Sequence, residues 1–84
     1  MERFKVDLTR GAEKELQDLP SKEIVRILAE LRGLEINAFP SNSKKLVGQD
    51  GCYRLRKGNY RILYEVNRNW IKITNILHRK EAYR

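Results

Sequence analysis

The stretch from Cys52 to Tyr64, CYRLRKGNYRILY, decides the fold of this chain. Two strand-forming runs that carry arginines flank Gly58-Asn59, and glycine in the first central position is typical of a type II′ hairpin turn. Counting outward from this turn pairs Arg56 with Arg61. Because side chains alternate with a period of two residues along a strand, Arg54, Arg56 and Arg61 are predicted to share one face of the hairpin.

The pairing of two arginines carries a cost that points to a function. Like charges directly opposite each other destabilise a sheet by up to about 1 kcal/mol. Arginine presents a planar fork that binds phosphate through two parallel hydrogen bonds. Three guanidinium groups on a rigid sheet therefore favour phosphate binding. The alternative is a solvated face whose charges protect the sheet from aggregation.

The flanking sequence predicts an α+β fold. Phe4, Val6 and Leu8 alternate with polar residues, as in a half-buried strand. Two helices follow as a hairpin around Pro20, with Thr9 and Ser21 as N-cap candidates and an inward apolar stripe on the second helix. After a loop of turn formers, residues 38–51, an antiparallel meander of three strands is predicted, and the sheet has four strands in all. The three meander strands are Cys52–Lys57, Tyr60–Asn67 and Trp70–Leu77.

The two faces of this predicted sheet differ in character. Tyr60, Ile62 and Tyr64 alternate along the middle strand and are expected to pack beneath the helices. The face with the arginines has no helix to cover it and is expected to be open and basic. Trp70 begins the last strand and is interpreted as a partly exposed packing residue rather than a platform for a nucleotide base.

Positive charge is concentrated in the second half of the 84-residue chain, whose net charge is +7. Residues 1–43 hold 7 Lys/Arg and 8 Asp/Glu, a net of −1, and residues 44–84 hold 11 and 3, a net of +8. The asymmetry indicates a polyanionic partner such as nucleic acid, an acidic protein or a membrane surface, or serves general solubility. A basic track for RNA is predicted along Lys44, Lys45, Lys57, Lys72 and Lys80.

Several classes of protein are excluded or disfavoured. The length predicts a single domain, residues 1–84. Cys52 is the only cysteine, so an internal disulfide is impossible, and no Cys/His cluster suited to zinc is present. The N-terminus lacks an apolar signal segment and no stretch approaches transmembrane length. A cytoplasmic protein without metal, cofactor or membrane association is expected.

Acidic residues are scarce where the cations cluster. Only Asp50, Glu65 and Glu81 lie in the second half, which is too few for a two-metal nuclease site. If a phosphodiester is cut here, the reaction is expected to run without metal, by attack of the RNA 2′-hydroxyl on the adjacent phosphorus. His78 and Tyr83 are candidates for proton transfer and base stacking. The alternatives are a surface histidine at a strand end and a tyrosine that anchors the tail.

Three segments resemble the RelE/ParE superfamily of bacterial and archaeal toxins: Lys44-Lys45-Leu46, Tyr53–Tyr64 and His78–Tyr83. The likeness spans nearly the whole chain, and the tail favours the RelE branch. The resemblance implies a microbial-RNase-like fold and the toxin half of a type II toxin–antitoxin pair. It further implies metal-free cleavage of mRNA on the ribosome, and a hetero-oligomer with a cognate acidic antitoxin.

Family roles transfer to matching positions of this sequence. Arg54 and Arg56 stand where RelE has two basic strand residues, often lysines, that contact the phosphate or take a proton. Arg61 matches the arginine that stabilises the transition state, Arg79 a basic residue beside the leaving group, and Tyr83 the tyrosine that stacks on the cut nucleotide. Arginine does not readily lose its proton. Either His78 or Lys57 is then the general base, or catalysis depends on electrostatics and positioning.

Two other functions stay open at this point. ParE-like toxins share the scaffold and inhibit DNA gyrase, although they generally lack the full basic-plus-tyrosine set. An inert descendant that binds only its antitoxin is also compatible with the sequence.

Overall fold

The computed structural model describes residues 3–82, with side chains described as far as Lys80. Three helices and five strands follow in chain order: β1 (Lys5–Leu8), α1 (Arg10–Gln17), α2 (Ser21–Leu34), β2 (Ser43–Lys45), β3 (Cys52–Lys57), β4 (Tyr60–Asn67), β5 (Trp70–His78) and α3 (Arg79–Ala82). The predicted α+β fold, with an N-terminal strand, a helical hairpin and a three-stranded meander, is confirmed.

The strands form one mixed sheet in the order β1-β5-β4-β3-β2. β1 lies parallel to β5 at one edge, and β2 pairs antiparallel with β3 at the other. The sheet thus has one strand more than predicted. β2 was missed because Ser43-Lys44-Lys45 lacks apolar alternation and lies in a loop of turn formers.

The β3–β4 hairpin has the predicted register. Arg56 pairs with Arg61, Leu55 with Ile62, and Arg54 with Leu63. Gly58 has a φ of 58°, whereas Asn59 does not have a positive φ, and this is the pattern of a type II′ turn.

Both helices cover one face of the sheet, where the core lies. Ile62, Ile71 and Ile73 point towards the helices, are completely buried and pack with Ile27 and Leu34 of α2. Burying one such side chain stabilises the fold by about 1.5–3 kcal/mol. The apolar alternation seen in the sequence therefore holds the helices against the sheet.

The helix starts agree only in part with expectation. Thr9 caps α1 as predicted, since its Oγ1 accepts a hydrogen bond of 3.1 Å from the Ala12 amide. Ser21 is not the cap of α2: Pro20 occupies that position and no side chain caps the helix. The Pro20 carbonyl instead accepts from the amides of Glu23 and Ile24.

A buried tyrosine attaches the loop after α2 to the sheet. The Tyr64 hydroxyl donates a 2.8 Å hydrogen bond to the Ala38 carbonyl. Burial raises the pKa of Tyr64 above its ordinary value of 10.0.

Within residues 3–82, no helix has the length and apolar character needed to cross a membrane.

Candidate phosphate-binding groove

The three arginines of the β3–β4 hairpin line one groove on the sheet face opposite the helices. This "arginine groove" has a volume of about 270 Å³ and is lined by Ser41, Asn42, Lys44, Arg54, Arg56 and Arg61. Four of its six lining residues are cationic and none is acidic. Such a lining suits phosphate, which guanidinium groups bind through paired hydrogen bonds.

Arg61 forms the floor of the groove. Its side chain is only 2% exposed, and it is the single buried charged residue within residues 3–80. The prediction that all three arginines lie on an open surface is therefore wrong for Arg61. Arg54 is half-buried and Arg56 is exposed, so the groove offers cations at three depths.

The hairpin turn fixes the Arg61 guanidinium. Its Nη1 donates to the Tyr60 carbonyl at 3.0 Å and to the Gly58 carbonyl at 3.4 Å. Backbone acceptors of a tight turn have little freedom to move. Burial of a cation costs several kcal/mol before its hydrogen bonds and charge partners offset that penalty. Arg61 is thus held in one orientation by the backbone of the turn.

Asn42 fixes the backbone of Arg56 from the other side of the groove. The Asn42 Nδ2 donates to the Arg56 carbonyl at 2.7 Å and to Glu30 Oε1 at 2.9 Å, and the Arg56 amide donates to the Asn42 carbonyl at 3.0 Å. These bonds join α2, the loop and β3 at Arg56, one residue before the end of the strand. No pattern of residues marks Asn42 in advance, because only the β2–β3 pairing brings the loop to Arg56.

The five lysines predicted to extend the basic track do not form one surface. Lys44 pairs with Arg54 and lines the groove, whereas Lys45 pairs with Tyr53 on the helix side. Lys57 is also on the helix side, with its Nζ 3.6 Å from Glu30 Oε2. Lys72 shares the face of the arginines but lies at the other end of the sheet, near Glu65.

His78 lies on the face opposite the arginines. It pairs with Tyr60, and the two rings meet edge-on with centroids 5.4 Å apart. It borders a separate cavity with Glu15 and Asp18. The cause is a β-bulge: the β4–β5 register shifts between Leu63 and Tyr64, which reverses the alternation of the last residues of β5. The prediction that His78 joins the arginines is wrong.

The start of α3 lies beside the hairpin turn. The Arg79 amide donates to the Asn59 carbonyl, next to the residues that hold Arg61. The side chains of Arg79 and Lys80 are exposed and do not line the groove. Tyr83 lies outside the described residues, so its stacking role stays a prediction.

Among residues 3–82, no group of three or more His, Cys, Asp or Glu side chains is arranged to hold a metal ion.

The sequence matches known toxins over nearly its full length. A family model described as "ParE toxin of type II toxin-antitoxin system, parDE" matches residues 6–83. Toxin RelE3 of Methanocaldococcus jannaschii is 36% identical over 84 residues, which cover 95% of this chain and 96% of that protein.

Solved structures agree with this assignment. The archaeal RelE–RelB complex from Pyrococcus horikoshii contains a chain with a TM-score of 0.82 and 32% identity, covering 92% of this chain and 96% of that one. The RelB–RelE antitoxin–toxin complex from Methanococcus jannaschii gives a TM-score of 0.76 and 30% identity, covering 90% and 93%. The chain therefore belongs to the RelE/ParE superfamily of type II toxin–antitoxin toxins and is RelE-like.

Proposed function

We propose that this protein is a ribosome-dependent endoribonuclease that cleaves mRNA and inhibits translation in the cytoplasm, with residues 1–84 acting as one toxin domain. The observation that carries the proposal is the arginine groove, in which three guanidinium groups gather on one hairpin. The turn carbonyls hold Arg61 in place before any substrate arrives. Such preorganised donors stabilise charge that develops in a transition state.

The groove suits cleavage by the substrate's own 2′-hydroxyl. In the proposed reaction the 2′-hydroxyl loses its proton to water as its oxygen forms a bond to the adjacent phosphorus. The bond to the 5′-oxygen breaks and that oxygen takes a proton from water, which leaves a cyclic phosphate and a 5′-hydroxyl. Arg54 and Arg56 hold the phosphate, and Arg61 stabilises the charge on its oxygens. By the family resemblance, Arg79 is assigned to the leaving oxygen and Tyr83 to stacking on a base; the backbone of Arg79 lies beside the turn, and its exposed side chain has to turn towards the groove for this role.

The positions of His78 and Lys57 narrow the choice of general base. Both residues face the helix side, away from the groove. Three of the four cations that line the groove are arginines, which keep their protons; the fourth is Lys44. Because the groove is built mainly from groups that do not transfer protons, we assign most of the rate enhancement to positioning and electrostatic stabilisation.

We also propose that a cognate acidic antitoxin binds this toxin as a hetero-oligomer. Similar chains occur in complexes described as RelE–RelB. The net charge of +8 in residues 44–84 is complementary to an acidic partner. A partner that binds only the folded toxin also stabilises it by mass action.

The direct test is translation of a reporter mRNA on purified ribosomes, with cleavage sites mapped by primer extension. Wild-type toxin should cut at codons in the ribosomal A site. Arg61→Ala should leave the mRNA intact, whereas Lys57→Ala, which removes a cation from the helix side, should cut as the wild type does. Intact mRNA in the presence of folded wild-type toxin would refute the proposal.

Inhibition of DNA gyrase is the second candidate, because the matching family model is that of a ParE toxin. A supercoiling assay with purified gyrase separates the two functions. Inhibited supercoiling together with intact reporter mRNA favours the gyrase function, and cut mRNA with normal supercoiling favours the nuclease.

A further inference from the structure

The turn between β4 and β5, at the far end of the sheet from the arginine groove, carries a second surface suited to nucleic acid. It borders a shallow cavity of about 490 Å³ lined by Glu65, Asn67, Arg68, Asn69, Trp70 and Lys72. We propose that this "Trp70 surface" binds an unpaired RNA nucleotide, with the base stacked on the indole and the phosphate on Arg68 or Lys72. The inference rests on the proposed function, because it adds a second RNA contact to the same protein.

Trp70 supplies the stacking platform. Its side chain is 47% exposed, which agrees with the partial exposure predicted from the sequence and leaves ring surface open to a ligand. Single-stranded RNA is held by stacking its bases on exposed aromatic rings, a contact that needs no particular sequence. The Lys5 ammonium lies over one face of the indole ring, 5.7 Å from its centre, so a base would stack on the other face.

The backbone of Arg68 provides an independent observation. Its φ is 57°, and it is the only non-glycine residue within residues 3–82 with a positive φ. A left-handed conformation disfavours residues other than glycine and asparagine. A strained conformation at an exposed position is expected where the side chain has a function. The two-residue turn between β4 and β5 requires a positive φ at this position, where glycine is the usual residue, so the presence of arginine there fits a role for its side chain.

Charge around Trp70 also favours an anionic partner. Arg3 and Arg68 border an adjoining cavity, and Lys5 and Lys72 flank the ring on β1 and β5. The acids on the same face, Asp7 and Glu65, are register neighbours of Lys72. Within residues 3–82, neither Arg68 nor Lys72 forms a salt bridge.

The combination of groups selects RNA over an acidic protein. Cations alone would serve a carboxylate-rich peptide equally well. An exposed indole flanked by the Asn67 and Asn69 amides, each with donors and an acceptor, matches the flat face and polar edge of a base.

The Trp70 surface and the arginine groove lie on one face of the sheet. Asn67, the register partner of Trp70, is six residues along β4 from Arg61, about 20 Å at the rise of a β-strand. One extended RNA strand can therefore contact both. The arginine groove acts on the phosphodiester that is cut, and the Trp70 surface binds the same RNA strand about 20 Å away from that phosphodiester.

Trp70 is the only tryptophan in the chain, so its fluorescence reports directly on stacking. The purified chain is titrated with a short single-stranded 2′-O-methyl RNA, which lacks the attacking hydroxyl. We expect saturable quenching of the fluorescence. In a parallel anisotropy measurement with labelled RNA, Trp70→Ala should weaken binding roughly 5- to 150-fold. Trp70→Phe, which keeps an aromatic ring, should bind within a few-fold of the wild type and controls for folding.

The other arms separate this inference from the proposed function. Quenching that persists in Arg61→Ala supports a surface distinct from the groove. Absence of quenching at RNA concentrations that saturate the anisotropy signal would overturn it, as would stronger quenching by a poly-glutamate peptide than by RNA. Toxin that cuts reporter mRNA without Trp70 quenching refutes the surface alone. Intact mRNA with clear quenching refutes the nuclease and supports the surface.

Discussion

Arg61 and Ile62 are neighbours on β4, and both are buried, with exposures of 2% and 0%. Ile62 faces the helices and joins the apolar core, where burial itself is favourable. Arg61 faces the other side, where burial of its charge is unfavourable and the turn carbonyls have to offset the cost. The comparison teaches that one side of the strand stabilises the fold and the other holds a group ready for an anion.

Arg61→Ala tests the functional side of this comparison and should have the largest effect. Loss of a preorganised donor lowers the rate of a charge-developing reaction by about 100- to 1,000-fold. Removal of the guanidinium also removes its desolvation cost, which partly offsets the lost hydrogen bonds and packing, so we expect the free energy of unfolding to fall by no more than about 1–3 kcal/mol and the variant to stay folded. Single-turnover cleavage on ribosomes measures the first quantity and urea denaturation the second. An unfolded variant, or one that cleaves normally, would contradict the separation of the two sides.

Ile62→Val is the matched change on the structural side. Loss of one buried methylene should lower the free energy of unfolding by about 0.5–1.5 kcal/mol. Cleavage per folded molecule should be unchanged, because the residue faces away from the groove. A large loss of cleavage in fully folded Ile62→Val would show that the two sides are coupled.

Tyr64→Phe extends the comparison to pH. The variant loses the hydrogen bond to the Ala38 carbonyl, which lowers the free energy of unfolding at neutral pH by about 0.5–1.5 kcal/mol. Burial raises the Tyr64 pKa above 10.0, so the folded state keeps this proton more tightly than the unfolded state. This stabilisation is complete below pH 10 and is lost as the pH rises through the folded pKa. Denaturation at increasing alkaline pH should therefore show the gap between wild type and variant shrinking.

His78→Gln should have the smallest effect. Because the ring packs on Tyr60 on the helix side, its removal should leave the rate of cleavage per folded molecule within about two-fold of the wild type. Arg56→Gln is the matched change within the groove and should lower cleavage far more. A loss with His78→Gln as large as that with Arg61→Ala would mean that the imidazole reaches the substrate.

The sequence predicted what local chemistry determines. The Gly58-Asn59 turn set the hairpin register, and alternation identified β1 and the three meander strands. The depth of Arg61 was not predictable, because alternation specifies the face of a residue and not how much covers it. The hydrogen bond from Asn42 to the Arg56 carbonyl depends on the pairing of β2 with β3. The sheet face on which His78 lies depends on one bulge in β5. These features arise from contacts between distant segments, or from a break in periodicity that no residue type marks.

The salt dependence of RNA binding tests the phosphate-binding role of the groove most directly. For single-stranded nucleic acid, the logarithm of the association constant decreases with the logarithm of the salt concentration, and each phosphate neutralised makes this slope steeper by about 0.7. The triple variant Arg54→Gln, Arg56→Gln and Arg61→Gln should therefore show a slope shallower by about 2 than the wild type with 2′-O-methyl RNA. The control removes three exposed cations of the helix layer, Lys14→Gln, Lys22→Gln and Arg32→Gln, and should keep the wild-type slope. Equal slopes for the two triple variants would show that RNA senses only the net charge of the protein and would contradict a phosphate site built by the three arginines.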